Sequence, residues 1–247
     1  MNMGKCRFAA LAGVIVLVGG ADRASSAPRP AALAKALALT SSKTPESRLF
    51  RAKTLLKLSR YREAYKTLSK LRKKLPHLND YIYMMKGHAL VGMKRYRAAA
   101  LAFHVAAASK ASNHVDEARK QQALALMRAR RYAAAGAILR KLLKSYPEHQ
   151  ERPQIELQIA ISKLKRRRKR QAAAALQKIW LEHPASKAAE KARALLKKRK
   201  LKPPPPTPAQ LLERAYRLRR AKRYDQALKQ LRQVARHRRF ADKARFH

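Results

Sequence analysis

Small and apolar residues return at fixed offsets along the chain, in five copies of one pattern. The copies are anchored at Tyr61, Tyr96, Tyr132, Lys169 and Tyr224, and the first four anchors are 35, 36 and 37 residues apart. An alanine follows each anchor by three positions, and large apolar residues follow by seven (Leu68, Phe103, Leu139, Leu176 and Leu231). Residues at these offsets share one face of a helix. The pattern therefore predicts a buried helical face in each copy.

Other offsets indicate where a second helix packs and where helices end. A small residue precedes each anchor by nine positions, which lets two helix backbones approach closely, and Pro76, Pro147 and Pro184 can end the second helix. Thr44 and Thr207, each followed by proline, are the expected N-caps. We predict helix pairs over 45–58 and 61–74, 79–92 and 96–110, 114–129 and 132–145, 151–166 and 168–182, a further helix over 185–199, and a fifth pair from 208.

The small residue, aromatic anchor, alanine, apolar positions and proline resemble the tetratricopeptide repeat, a two-helix unit of about 34 residues. The resemblance covers residues 45–184 and 208–238. It implies an all-α fold, a right-handed superhelix of tetratricopeptide-like helical hairpins, with a protein partner in its concave groove. The repeat anchors are expected to be structural, with the tyrosines wedged between helices: Tyr61, Ala64, Tyr96, Ala99, Tyr132, Ala135, Tyr224 and Ala227. Because Lys169 replaces the aromatic residue, the fourth hairpin is expected to be the most weakly packed.

Composition predicts the organisation outside the repeats. Lys5 and Arg7 precede an apolar stretch from Phe8 to Val18, which predicts an export signal over residues 1–21, or alternatively 1–27. The other interpretation of this stretch is an uncleaved anchor. We expect an exported protein of the periplasm or cell envelope, with no stable transmembrane span after signal removal. The remaining predicted segments are a linker with a short helix (28–44), four repeats plus an extra helix (45–200), a proline-rich linker (201–208), and a fifth repeat with the start of an incomplete one (209–247).

A narrower resemblance involves the order of these segments. A signal peptide, helical hairpins, a proline-rich join at residues 205–210 and another hairpin are similar to the N-terminal region of bacterial soluble lytic transglycosylases. This resemblance implies a cell-wall-related setting. It leaves open an alternative function, the accessory superhelical region of a peptidoglycan lyase whose catalytic domain is absent from this chain. No catalytic residue is carried over, because the family's catalytic glutamate lies in that domain.

The residues that usually carry chemistry do not form recognisable constellations. The three glycines after residue 21 cannot build a phosphate-binding loop, and the histidines lack metal-type spacing. Asp116 and Glu117, the one adjacent pair of acids, open a predicted helix, where they oppose its dipole. We therefore predict no catalytic, cofactor-binding or metal site and no cofactor.

Charge is the remaining signal, since 60 basic and 14 acidic residues give a formal net charge of +46. The densest run is the candidate polyanion contact, consisting of Lys163, Lys165, Arg166, Arg167, Arg168, Lys169 and Arg170. Such density favours a polyanion. Export argues against nucleic acid as the natural partner and leaves anionic cell-wall polymer, lipopolysaccharide or phospholipid. The alternative is a basic composition without a function. The predicted function is thus an exported, non-catalytic scaffold for a protein or a cell-envelope polyanion.

Overall fold

A computed structural model describes residues 44–108 and 114–236 of the 247-residue chain. These residues form eleven α-helices and a 3-10 turn at Pro76–Leu78, and no strand occurs among them. The helices are α1 (Pro45–Lys57), α2 (Tyr61–Leu71), α3 (Asn79–Gly92), α4 (Tyr96–Ala108), α5 (Val115–Arg128), α6 (Tyr132–Ser145), α7 (Arg152–Lys165), α8 (Lys169–Glu182), α9 (Lys187–Lys198), α10 (Pro208–Arg220) and α11 (Tyr224–Val234). The all-α prediction is confirmed. The predicted export signal, the helix before residue 44 and the incomplete last repeat lie outside the described residues.

Consecutive helices pack as hairpins, and hairpins 1 to 4 pack on one another in chain order. Hairpins 1 to 5 are α1–α2, α3–α4, α5–α6, α7–α8 and α10–α11. The alanine that follows each anchor is buried in all five, with exposures of 0 to 3% (Ala64, Ala99, Ala135, Ala172 and Ala227). The apolar residue four positions later is also buried, at 0% exposure in hairpins 1 to 4 and 6% in hairpin 5. The predicted helical face is therefore the core of each hairpin.

Hairpin 2 fills its core with a different pair of residues from the other hairpins. In hairpins 1, 3, 4 and 5, an alanine at the small-residue position shares a core cluster with a leucine of the second helix. In hairpin 2 the pair is Gly87 and Phe103, and a Cβ placed on Gly87 would lie 2.5 Å from the Phe103 Cε1 atom. The large ring thus occupies the volume that a methyl group fills elsewhere.

The turn inside every hairpin has the same backbone form. One residue in each turn, and one after α9, has a left-handed conformation with φ between 48° and 60° (Ser59, Lys94, Arg130, Arg167, Lys200 and Lys222). In hairpin 2 the Lys94 amide donates to the Val91 carbonyl at 2.9 Å, and the Arg95 amide donates to the Leu90 carbonyl at 2.8 Å. These two bonds define a Schellman motif. Equivalent bonds end all six helices, so the turns share one form although their sequences differ.

Helix α9 and the segment after it explain the 55 residues between the last two anchors. The further helix predicted over 185–199 is α9, and it packs on α8 and α7 as the first helix of a hairpin would. Residues 201–207 then continue as irregular chain in the place of a second helix. In a polyproline conformation these seven residues would span about 22 Å. Helix α9 has 12 residues and is about 18 Å long, so this span is sufficient to run back along it. The linker is therefore long enough to return the chain to the side from which α9 started.

Hairpin 5 packs on the end of α8. The apolar contact consists of Leu181, Leu211, Leu212, Ala215, Leu231 and Val234. Within it the buried Arg214 guanidinium lies 4.0 Å from the centre of the Trp180 ring and donates to the Trp180 carbonyl at 3.2 Å and to Gln230 Oε1 at 2.8 Å. Burial lowers the pKa of Arg214 to about 10, so the group remains charged at neutral pH.

The two predicted N-caps are confirmed. Thr44 Oγ1 accepts a hydrogen bond from the Ser47 amide at 3.3 Å at the start of α1. Thr207 Oγ1 accepts from the Gln210 amide at 3.2 Å, while Gln210 Oε1 accepts from the Thr207 amide at 2.9 Å. This reciprocal pair is a capping box. It fixes the residue at which the linker ends and α10 begins.

Candidate interaction surface

The antiparallel pairing places the turns inside hairpins at one edge of the stack and the connections between hairpins at the other. The turns have three residues each, and the left-handed residue and its successor stand at the tip of every one. With the end of α9, these positions define what we call the basic edge: Ser59, Arg60, Lys94, Arg95, Arg130, Arg131, Arg167, Arg168, Lys200, Leu201, Lys222 and Arg223. Ten of these twelve residues are basic, and all ten are exposed.

The cations of the basic edge have almost no acidic partners. In residues 44–108 and 114–236, Arg60 is the only one of the ten with a carboxylate, since its guanidinium donates to Glu63 at 2.6 and 2.7 Å. The first turns of α4, α6 and α8, which begin at this edge, contain no acidic residue. Acidic residues are usually favourable in the first turn of a helix, because their negative charge opposes the helix dipole. The edge therefore keeps its positive charge unneutralised along the middle of the stack.

The acids gather at the other edge, which we call the opposite edge. Nine of the twelve acidic residues in the described part of the chain lie where second helices end and first helices begin (Glu46, Asp80, Asp116, Glu117, Glu148, Glu151, Glu156, Glu182 and Glu190). Several bind cations there, and the Lys120 ammonium lies 2.5 Å from carboxylate oxygens of both Glu117 and Glu151. The stack is thus electrostatically asymmetric across its width.

The predicted polyanion contact lies at one of the six tips of the basic edge. Lys165, Arg167, Arg168, Lys169 and Arg170 are exposed there, whereas Lys163 and Arg166 are partly buried. Burial, together with the nearby charges of Arg140, Arg168 and Lys178, lowers the pKa of Lys163. These three cations lie close enough to Lys163 to repel its charge. The run is therefore the densest part of a longer basic surface.

The tyrosine anchors lie between neighbouring hairpins, beyond the hairpin's own core. The Tyr61 ring packs on Gly92 of the next hairpin, where an added Cβ would overlap the ring. Tyr96 has the equivalent neighbour in Arg128, whose guanidinium carbon is 5.9 Å from the ring centre. Tyr132 is partly buried. Tyr224 is 61% exposed, so the wedge expected for it is wrong, because no described helix follows α11 to cover its ring.

Comparison with known proteins agrees with this geometry. Residues 116–149 and 155–186 match the family model of the tetratricopeptide repeat, and they coincide with hairpins 3 and 4. The chain contains tetratricopeptide repeats. Two similar solved structures are the nearly identical TPR-like repeats of a Podosopora anserina protein described as a kinesin light chain, and a form of the same repeats with one residue substituted. They are 13% and 14% identical, cover 78% and 82% of this chain and 95% and 96% of their own, and give TM-scores of 0.45 and 0.46. No curated protein matches the sequence.

The fourth tetratricopeptide repeat keeps a buried core, and the expectation that it is the most weakly packed hairpin stays a prediction. Its core residues Ala160, Ala172 and Leu176 are all fully buried despite the lysine at the anchor position. The physical reason is that an anchor ring packs outward on the next hairpin, so its loss leaves the hairpin's own core intact. Helix α9 also covers this repeat, because Ala188, Ala189 and Ala192 join its core cluster.

Two shallow cavities lie between the second and third repeats. One of about 410 Å³ is lined by Lys94, Arg95, Tyr96, Arg97, Ala98 and Ala129, at the basic edge. The other, of about 380 Å³, is lined by Arg97, Ala100, Leu101, His104, Gln122, Leu126 and Arg131. Leu101 in the second cavity is 68% exposed, and Val105 one turn further is 42% exposed. Apolar side chains between arginines suit a contact with an acidic, partly apolar segment of another protein.

One cluster of possible metal ligands was missed by the sequence reasoning. Glu156, Glu182 and His183 bring donor atoms within 4.8 Å of one another at the opposite edge. His183 Nε2 lies 3.1 Å from Glu156, and Arg152 donates to the same carboxylate at 3.1 Å. Although burial alone would raise the pKa of Glu156, these hydrogen bonds hold it below its usual value. Arg152 already pairs with Glu156. No local motif signals the cluster, because 27 residues separate Glu156 from His183.

The described helices of the tetratricopeptide stack are also too short or too polar to cross a bilayer.

Proposed function

We propose that this chain is an exported tetratricopeptide scaffold that holds an anionic polymer of the cell envelope at its basic edge and a protein partner in its groove. The observation that carries the proposal is the segregation of charge. Ten exposed cations share the basic edge, and among the described residues only one of them has a carboxylate partner. A high net charge alone would not require this arrangement, since cations spread over all faces would give the same total.

The protein partner follows from the repeat type, because tetratricopeptide scaffolds mediate protein interactions. The concave groove of the superhelix is the proposed site. Exposed Leu101 and Val105 beside the 380 Å³ cavity support an additional contact between the second and third repeats, since large apolar side chains gain most from being covered by a partner. The proposed scaffold role requires no catalysis by this chain.

Export is proposed from the N-terminal sequence, where Lys5 and Arg7 precede the apolar run. The test is expression of the whole chain in a bacterium, followed by fractionation and mass measurement of the mature protein. We expect a periplasmic product that begins at Asp22 or Pro28. A full-length product retained in the cytoplasm would remove the reason for preferring envelope polymers over nucleic acid.

Binding is tested with purified mature chain and lipopolysaccharide, over a series of salt concentrations. We expect binding at low salt that weakens steeply as salt rises, because each neutralised anionic group releases counterions. Dextran, which is uncharged, is the control ligand. Absence of binding at low salt, or equal binding to dextran, would contradict the proposed function.

A second candidate is the accessory region of a lytic transglycosylase. The observation in its favour is the arrangement of α9, the linker of residues 201–207 and a hairpin that opens with a capping box at Thr207, which is the order that suggested the resemblance. On either candidate the chain itself should release no soluble fragments from isolated peptidoglycan. Release that disappears when one acidic residue is replaced by its amide would establish an enzyme instead.

A further inference from the structure

We propose that the basic edge is one continuous track for an extended linear polyanion, which crosses successive hairpins and contacts the tip of each turn. This inference rests on the proposed function and makes it specific. It extends the contact predicted at Lys163–Arg170 to a surface along the whole stack, and it specifies a flexible linear chain of anionic groups as the ligand.

The regular backbone of the turns supports a track. Every tip has the same Schellman geometry, so the left-handed residue and its successor occupy the same place in each hairpin. Neighbouring first helices are in contact, α1 with α3 and α7 with α9. Helices in contact lie roughly 8–10 Å apart. The tips of these neighbouring helices therefore follow one another at about that interval, each with one or two exposed cations.

The linker preserves the track where the repeats are interrupted. Leu211 and Leu212 at the start of α10 pack on Leu181 at the end of α8, which lies at the opposite edge. Hairpin 5 therefore starts from the same side as the other hairpins, and its turn at Lys222 and Arg223 lies away from that side. Helix α9 supplies Lys200 in the intervening position. The row of charged tips thus continues through the gap.

The spacing favours a linear polymer over separate small anions. Mobile salt screens charges beyond about 8 Å at physiological ionic strength, so a small anion at one tip gains little from the next. A polymer that reaches several tips makes each later contact intramolecular, which raises its overall affinity without any new type of contact. Affinity should therefore rise with polymer length until the polymer spans the track.

The left-handed positions allow the track to be tested without damage to the fold. Glycine favours this backbone conformation more than lysine or arginine does. The track variant Lys94→Gly, Arg130→Gly and Lys222→Gly removes three charges from three hairpins and leaves Lys163–Arg170 unchanged. Its melting temperature should equal or exceed that of the parent. The control variant Lys73→Gln, Lys74→Gln and Lys144→Gln removes the same charge from exposed residues at the opposite edge.

The experiment measures the affinity of parent, track variant and control variant for long linear polyphosphate and for tripolyphosphate, over a salt series. For the parent, we expect much tighter binding of the long polymer. The track variant should lose about 2 units of the log–log salt slope, from about 0.7 to 0.9 per lost contact, whereas the control variant should keep the parent slope. Vesicles of phosphatidylcholine with phosphatidylglycerol, added in parallel, should bind less steeply with salt than the long polymer.

Each other outcome has a defined meaning. A track variant that binds like the parent would overturn the track and leave Lys163–Arg170 as the contact. Equal losses of salt slope in both variants would show that charge acts without regard to position, which would also overturn the track. Tripolyphosphate binding as tight as the long polymer, or vesicles binding better than polyphosphate, would do the same. Failure of the parent to bind any of these anions at low salt would instead contradict the proposed function itself.

Discussion

The two edges of the stack are built by different means. At the basic edge every turn has three residues and one backbone form, and side chains add little to hold it. At the opposite edge the described connections have different lengths, from four residues (183–186) to seven (72–78), and ion pairs join neighbouring helices. Backbone geometry is the main support of the basic edge, so most of its side chains are available for contacts. The opposite edge uses its side chains for stability.

The largest effect of a substitution on stability is expected in the core between the two edges. Gly87→Ala should destabilise the protein by about 1–3 kcal/mol, because the added methyl meets the buried Phe103 ring. Phe103→Leu in the same chain should recover much of this loss, since alanine with leucine is the pair used in the other four hairpins. Denaturant unfolding of both single variants and the double variant measures the coupling. Additive effects would show that the two residues do not exclude each other.

The next effect contrasts one cation at each edge. Lys120→Gln should cost about 1–2 kcal/mol, because a half-buried ammonium loses hydrogen bonds to Glu117 and Glu151 that charge strengthens. Burial alone would lower the pKa of Lys120, but these hydrogen bonds outweigh burial and raise the pKa above its usual value. Lys94→Gln at the basic edge should change stability by less than about 0.5 kcal/mol. Similar costs at the two edges, in the same thermal or denaturant melts, would contradict the division of roles.

Glycine at the left-handed positions should have the reverse effect at the basic edge. Lys94→Gly and Arg130→Gly should each stabilise the fold by up to about 1 kcal/mol, because both residues have φ near 60°. The greater freedom of glycine in the unfolded chain reduces the gain. Lys141→Gly, at an exposed position inside α6, is the control and should destabilise by about 1 kcal/mol. A loss of stability at Lys94 and Arg130 would mean that their side chains make contacts that stabilise the turns.

The smallest expected effect is a pH dependence confined to the opposite edge. The pKa of Glu156 is held below its usual value in the folded protein, so its contribution is present above the unfolded value near 4.5 and is lost as the pH falls through the folded value. Glu156→Gln should therefore lower the melting temperature at about pH 6 and have a smaller effect at about pH 3. Melts of parent and variant across this range test it. An equal difference at both pH values would mean that the carboxylate charge has no part in the contact.

Much of the fold could be predicted from the sequence because its determinants are local. The offsets from Tyr61, Tyr96 and Tyr132 identify the helices to within three residues, and Thr44 and Thr207 identify two helix starts. The exposure of Tyr224 could not be predicted in this way. An anchor ring packs on the following hairpin, so the motif alone does not show whether the ring is covered.

The candidate site was predictable only in part, because it is assembled by topology. Residues 163–170 stand out as a run of sequence, yet Lys94 with Arg95 and Arg130 with Arg131 are ordinary basic pairs until the hairpins align them at one edge. The same holds for Glu156 and His183, which come together from α7 and the residue after α8. Local density in the sequence marks the tips at Arg167 and Lys200, whereas the basic residues at the other tips do not stand out from the sequence.

The linker in place of a missing helix has a consequence for cooperativity. A stack of repeats unfolds as a series of units coupled by their interfaces. Hairpins 1 to 4 share extensive interfaces with their neighbours, whereas hairpin 5 is coupled through Leu181 and Trp180 near the end of α8. Hairpin 5 should therefore open at lower free energy than the rest, with earlier hydrogen exchange from α10 and α11. We therefore expect hairpins 1 to 4 to unfold as a cooperative block and hairpin 5 to open by itself.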